Sequence, residues 1–310
     1  MNVAECPKPT ARETATAVRY GIADRIGIAS TIGRLDLWIP LITDTPYQRV
    51  LACELPSGNH WSVTREPGHG NQMAHLRLDE MNGPLNVEIR YDIERLPITH
   101  ELHESCVRPL GDPTPFSQHL APERHVDVND ATRTLANSVV AGETSPLRQA
   151  RCLFDYVTGA MQYDATQQSG TGSTQHAMTC SVGNCNDIHA LFISLARSVG
   201  IPARLVLGQA LEPTVPGEED CDICGYHCWA EFFATGLGWI PVDASCTCKF
   251  GTEGLFGSLE MNHVAWSVGR DLQLAPPQSG SPVLFFAGPY AELDGEPGPT
   301  IERHLVVSEG

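Results

Sequence analysis

Three residues able to perform acyl chemistry occur along the chain in the order Cys185, His227, Asp243. Cys185 lies in Gly183-Asn184-Cys185-Asn186-Asp187, at the head of a strongly helical stretch. A thiol there feels the positive end of the helix dipole and the unpaired N–H groups of the first turn. Both favour the nucleophilic thiolate, and the same N–H groups could hold an oxyanion formed by attack on a carbonyl. A lone cysteine at a helix start could equally be a small buried hydrophobe, so its neighbours decide. His227 opens a strand-like run to Ala234, and Asp243 closes the next, Trp239–Asp243, with Gly236-Leu237-Gly238 between them. If a tight hairpin turns there, positions 227 and 243 stand opposite each other, with Cβ atoms within about 5.5 Å. A carboxylate so placed accepts from one imidazole nitrogen and leaves the other for a thiol.

Other chemistry-bearing residues surround these three. Cys221-Asp222-Ile223-Cys224 precedes His227, and Cys246-Thr247-Cys248 follows Asp243. The same hairpin register sets 224 opposite 246, so Cys221, Cys224, Cys246 and Cys248 could offer four thiolates to a structural zinc. C-x-C is not the usual zinc spacing, and unrelated loop thiols are the alternative. Catalysis by a thiol and an imidazole needs no cofactor. His189, four residues after Cys185 on one helical face, reads as packing or hydrogen bonding. Tyr163 stands before a polar loop and could help hold an oxyanion. Trp229 and Trp239 read as packing beneath the triad, with Trp229 also a candidate wall of an acyl groove. Arg204 and Glu231 read as a structural ion pair between neighbouring strands.

The elements that must position these groups fall into two styles. From about residue 16 to 120 the pattern is β-rich. Leu35, Leu37, Ile39 and Leu41 alternate, as do Leu85, Val87, Ile89, Tyr91 and Ile93. Turn signals at 56–58, 67–70 and 82–84 separate the strands, giving an antiparallel sheet or sandwich. Helices follow: Asp127–Ala141, then one with Ser145 as N-cap and Pro146 at its first position. In the latter Leu147, Ala150, Leu153, Phe154 and Val157 form one stripe, with Gly159 as the stop. Residues 164–182 read as a long polar loop. A third helix covers Asn184–Val199, ended by Gly200 and Pro202, and strands are expected at 204–209, 227–234 and 239–243. Strand-like pieces at Val283–Phe286 and Arg303–Ser308 complete the chain. The division expected is a flexible arm at 1–15, a β domain at 16–120, a catalytic domain at 121–250 and packing strands at 251–310.

Composition excludes some classes. Acidic residues number 37 against 20 basic, a net charge of −17, and only Lys8 and Lys249 are lysines. No basic patch offers itself to nucleic acid or to an anionic membrane surface. No run of about 18 apolar residues suggests a transmembrane helix, and the polar N-terminus is not a secretory leader. A cytoplasmic location is therefore expected, with the eleven cysteines buried, catalytic or metal-bound rather than paired.

The segments GNCNDIHALFISLARSVGIPAR (183–204), GYHCWAEF (225–232) and GLGWIPVDAS (236–245) resemble the bacterial transglutaminase-like superfamily. Residues 120–275 carry the likeness, and DLWIPLITDTPYQRV (36–50) is similar to the sheet domain preceding the catalytic domain in some members. The resemblance implies an α+β fold: a papain-like core of helix packed on antiparallel sheet, with an N-terminal β-sheet or sandwich domain. It implies that Cys185 attacks a carbonyl, His227 is the base and Asp243 orients it, through an acyl-thioester passed to water or an amine. Substrates would be peptides, amides or acyl-thioesters. A cysteine peptidase or amidohydrolase is the first reading. An amide-forming biosynthetic acyltransferase and a non-catalytic, zinc-braced interaction protein are the alternatives. The cysteines around the site depart from the family pattern.

Overall fold

The computed structural model describes residues 17–58, 61–96, 98–99, 101–211 and 225–309. They form two compact units, each drawn from separate parts of the chain: Pro97–Val206 with Cys228–Glu260, and Thr16–Leu96 with Leu207–His227 and Met261–Gly310.

The second unit is a sheet built on two long strands, β1 (Val18–Pro40) and β4 (Gln72–Arg95), with β2 (Gln48–Glu54) and β3 (Trp61–Arg65) between them in sequence and both paired to β4. β1 and β4 pair antiparallel from Val18↔Arg95 to Pro40↔Met73. The buried set in β1 switches from Tyr20, Ile22, Ile26 and Ile28 to Leu35, Leu37 and Ile39. The register slips between Ile28 and Thr31, and one inserted residue turns alternate side chains to the other face. The turn expected at 82–84 does not form: Gly83 takes φ 122° inside a continuous β4, beside the point where β1 carries its extra residue. At 67–70 the turn does form. The buried Glu66 carboxylate accepts the Gly68, His69 and Asn71 N–H groups there.

The first unit supplies the helices. After β5 (Ile98–Thr99) come α1 (Ser117–Leu120), α2 (Asp130–Val140) and α3 (Pro146–Ala160). Next are β6 (Gln162–Tyr163), α4 (Thr174–Cys180), β7 (Val182–Gly183) and α5 (Cys185–Ser198). β8 (Ala203–Ala210), β9 (His227–Ala234), β10 (Gly238–Val242), α6 (Ala244–Phe250) and β11 (Ser258–Leu259) follow. Asn129 caps α2 with Thr132 in a capping box, starting it three residues later than the pattern suggests. The expected stripe of α3 is buried, but Pro146 starts it without a side-chain cap from Ser145. The stretch 164–182 is more ordered than a polar loop: Ser173 caps α4 through the His176 N–H.

Every residue of α5 from Cys185 to Arg197 is buried. Phe192 of α5 packs edge-on against Phe232 of β9, which stacks on Phe256, itself against Phe154 of α3. β10, β9 and β8 lie in that order. At the far end of α5 the buried Arg197 donates to the Ala203 and Ala121 carbonyls and pairs with Glu123 at 3.1 Å.

The chain then completes the second unit with β12 (His263–Val268), β13 (Tyr290–Leu293), β14 (Glu296–Pro297) and β15 (Ile301–Glu309). β13 and β15 pair with β1, giving the order β14-β13-β1-β4-β2. Val264 and Trp266 of β12 join the core formed by β1 and β4. Val283–Phe286 is not a strand; Val283 makes a single bridge to Leu272. The architecture is mixed α and β with antiparallel sheets, as the sequence leads one to expect.

Candidate active site

Cys185 is the first residue of α5 and is 6% exposed. Asn184 before it is the N-cap: its side-chain oxygen accepts the Asn186 N–H at 3.0 Å and the Asp187 N–H at 3.4 Å. Asp187 returns the bond by accepting the Asn184 N–H at 3.4 Å. This capping box corrects one expectation. Two of the first-turn N–H groups assigned to an oxyanion are already occupied by Asn184.

Asp187 does more than cap. Fully buried, its carboxylate also accepts the Ser169 hydroxyl, the Ser169 N–H at 3.1 Å and the Ser173 N–H at 3.0 Å. The segment 169–173 is thereby fixed over the start of α5. Gly172 (φ 61°) lies so close that an added Cβ would stand 3.0 Å from the Asn186 Cβ. Ser169 and Ser173 escape the sequence reading because their roles depend on a residue 14 to 18 positions away. Asn184-x-x-Asp187, in contrast, is a readable N-terminal box.

Tyr163 pairs in parallel with Gly183 across β6 and β7, beside the approach to Cys185. The Lys249 ammonium lies 5.1 Å from its ring. Trp229, read as packing beneath the triad and as a candidate groove wall, is 3% exposed on β9. Arg204 and Glu231 form the expected ion pair at 2.6 Å, and the guanidinium stacks 4.0 Å over Trp239.

The hairpin of β9 and β10 is real, but its register differs from the one expected. Ala234 pairs with Gly238, and the ladder runs to Ala230↔Val242. The turn is centred on Gly236 itself, so Asp243 comes level with Trp229 and the 227–243 pairing is displaced by two. A shift of two preserves the face, because side chains alternate with period two. His227 opens β9, and its ring packs edge-on against His263 at 5.2 Å, within the second unit. Asp243 is fully buried and ends β10 by capping α6: its Oδ1 accepts the Ser245 hydroxyl at 2.9 Å and the Cys246 N–H at 2.8 Å.

That cap removes the register argument for a zinc site. Cys246 and Cys248 stand on α6, not on a strand facing 224. Residues two apart on a helix do not share a face. Cys248 points its S–H at the Thr158 carbonyl, 3.9 Å away, and burial, then the Asp243 charge, push its thiol up to about 11. Cys221 and Cys224 lie outside the described residues. Cys106 departs from the unpaired state expected of the thiols: it is disulfide-bonded. His189, read as a packing or hydrogen-bonding residue, is fully buried and accepts the Ala244 N–H on Nε2 at 3.1 Å.

Residues 133–244, which include Cys185, His227 and Asp243, match the model of the transglutaminase-like superfamily. An uncharacterised protein of Haemophilus influenzae is 26% identical over 304 residues, covering 86% of this chain and 82% of the relative. A crystal structure from Cytophaga hutchinsonii, bearing a provisional cysteine-protease name, aligns with a TM-score of 0.62 and 18% identity, over 95% of this chain and 91% of that one. The periplasmic domain of TgpA from Pseudomonas aeruginosa aligns with a TM-score of 0.41 and 16% identity, over 74% of this chain and 91% of that domain.

Proposed function

We propose that this chain, a transglutaminase-like superfamily protein, is a cysteine-dependent acyl-group enzyme, and within that class a peptidase or amidohydrolase. The observation that carries the reading is the seat of Cys185: first position of a buried helix, with the turn before it locked by Asn184 and Asp187. A helix start favours negative charge, and a locked turn presents the sulfur in one place.

In the proposed reaction His227 takes the Cys185 proton while Asp243 holds the imidazole. The thiolate attacks the carbonyl carbon of a peptide, amide or acyl-thioester, and the carbonyl electron pair moves to oxygen. As the pair returns, the bond to the leaving amine or thiol breaks, and His227 returns the proton to that leaving group. Water then attacks the thioester on Cys185, giving its proton to His227, and the carboxylic acid departs with the thiol restored. The Tyr163 hydroxyl is assigned an auxiliary role at the oxyanion, supported by its strand pairing with Gly183.

Intact-mass measurement across a panel of amides, esters and thioesters tests the reading. An acyl adduct on Cys185, absent in Cys185→Ser, is expected. Added amine that captures the acyl group in preference to water would turn the assignment to an acyltransferase. No adduct with any donor would remove the enzymatic reading.

A further inference from the structure

Each member of the proposed triad is followed in the sequence by a residue of one buried knot. Asn186 follows Cys185, Cys228 follows His227 and Ala244 follows Asp243. His189 meets Ala244 and Cys228 directly, and Asn186 through Cys228. Its Nε2 accepts the Ala244 N–H, and an imidazole nitrogen that accepts an N–H carries no proton of its own. The neutral ring therefore holds its proton on Nδ1, which lies 3.7 Å from the Cys228 sulfur. The Cys228 S–H in turn donates to the Asn186 side-chain oxygen at 3.3 Å. Asp243 Oδ1 stands 3.6 Å from His189 Nε2. This is not an ion pair, because a charged ring would need a proton at Nε2, where the Ala244 N–H already points.

His189 and Cys228 are fully buried and Asn186 is 7% exposed. An apolar side chain would fill that volume without desolvating an imidazole. A chain of hydrogen bonds with matched donors and acceptors instead admits one geometry. We infer that His189, as the neutral Nδ1–H tautomer, is a positioning residue. Through the chain Ala244, His189, Cys228, Asn186 it fixes the backbone next to each triad member. The inference rests on the triad reading above and extends it to a residue that touches no substrate.

The test uses the full chain and p-nitrophenyl acetate as acyl donor, with release of p-nitrophenolate as the readout and circular dichroism as the check of folding. In His189→Leu the rate is expected to fall about 100-fold, the cost of a small displacement of a reacting group. In His189→Gln, whose side-chain oxygen can accept the Ala244 N–H, about a fivefold recovery over the leucine variant is expected for a restored hydrogen bond of roughly 1 kcal/mol. Nitrogen–proton correlation spectra of the wild-type protein with labelled histidine should show His189 protonated at Nδ1 alone. That measurement needs no variant and decides the matter if His189→Leu fails to fold. A folded leucine variant with the wild-type rate, equal rates in the leucine and glutamine variants, or a proton on Nε2 overturns the inference. Cys185→Ala separates it from the reading beneath: undiminished release in that variant overturns the triad itself.

Discussion

Replacing Asp187 by asparagine keeps the shape of the side chain and removes half of its accepting capacity. The carboxylate takes four donors: the Ser169 hydroxyl and Ser173 N–H on Oδ1, the Ser169 and Asn184 N–H groups on Oδ2. In the amide, one of these positions becomes an NH2 group facing two donors. The better orientation puts it at the Oδ1 position, since the Ser169 hydroxyl can rotate and accept. The Ser173 N–H cannot, and a buried donor left without a partner costs about 1–3 kcal/mol. The two bonds retained on the carbonyl oxygen lose their charge assistance, roughly 1 kcal/mol each. The sum, about 3–5 kcal/mol, is a large part of the stability of an ordinary domain. At about 2–4 °C per kcal/mol for a chain of this order of size, the melting temperature should drop by roughly 6–20 °C. Thermal unfolding followed by far-ultraviolet circular dichroism reads this directly. A variant that melts within about 2 °C of wild type would refute the claim that Asp187 anchors segment 169–173 to α5.

Three further outcomes follow from the same geometry. Cys185→Ser should lose at least about 1,000-fold in turnover of any donor that acylates the wild type, because the hydroxyl is a far weaker nucleophile, with little change in melting temperature; full turnover would end the nucleophile assignment. Gly172→Ala should cost about 1–2 kcal/mol from its left-handed backbone alone, more if Asn186 fails to give way, and urea unfolding measures it; an unchanged midpoint would show that the segment moves freely off α5. Cys248, held as a thiol up to about 11 by burial and then by the Asp243 charge, should react with iodoacetamide about tenfold faster per pH unit between 7 and 10. The sign for stability is set by the raised folded value: its contribution is intact below the unfolded thiol value of about 8.5 and declines as pH rises toward 11. Peptide mapping and melts across that range check both, and fast labelling of Cys248 at neutral pH would contradict them.

The long strands β1 and β4, the hairpin strands β9 and β10, and the three main helices were legible because their signals are local. Period-two burial marks β1 and β4, and a 3.6-residue stripe marks α3 and α5. What the pattern hides is where one residue is inserted. At Asn82-Gly83-Pro84 the composition of a turn sits inside a continuous strand, opposite the residue inserted in β1. At Gly236 the turn is centred one residue later than supposed, which moves Asp243 by two positions along β9. Asp243-Ala-Ser-Cys246 is a helix cap as well as a strand end, and reading it as strand alone produced the pairing of 224 with 246. Within the candidate site the sequence names the residues whose types could carry chemistry. Their support, from Ser169, Ser173, Cys228 and the Ala244 N–H, comes from segments distant in the chain, and no local pattern encodes it.

Helix α5 is tethered at both ends, by Asp187 to the segment before it and by Arg197 to the carbonyls of Ala121 and Ala203. A rod held at both ends has no travel along its axis. On the proposed reading, the sulfur at its tip therefore does not advance to meet a reactant; the reactant is brought to the sulfur. The freedom a bimolecular reaction must give up is, on the protein's side, already surrendered when the chain folds. An enzyme built this way tunes what it accepts by reshaping the rim around a stationary point of attack.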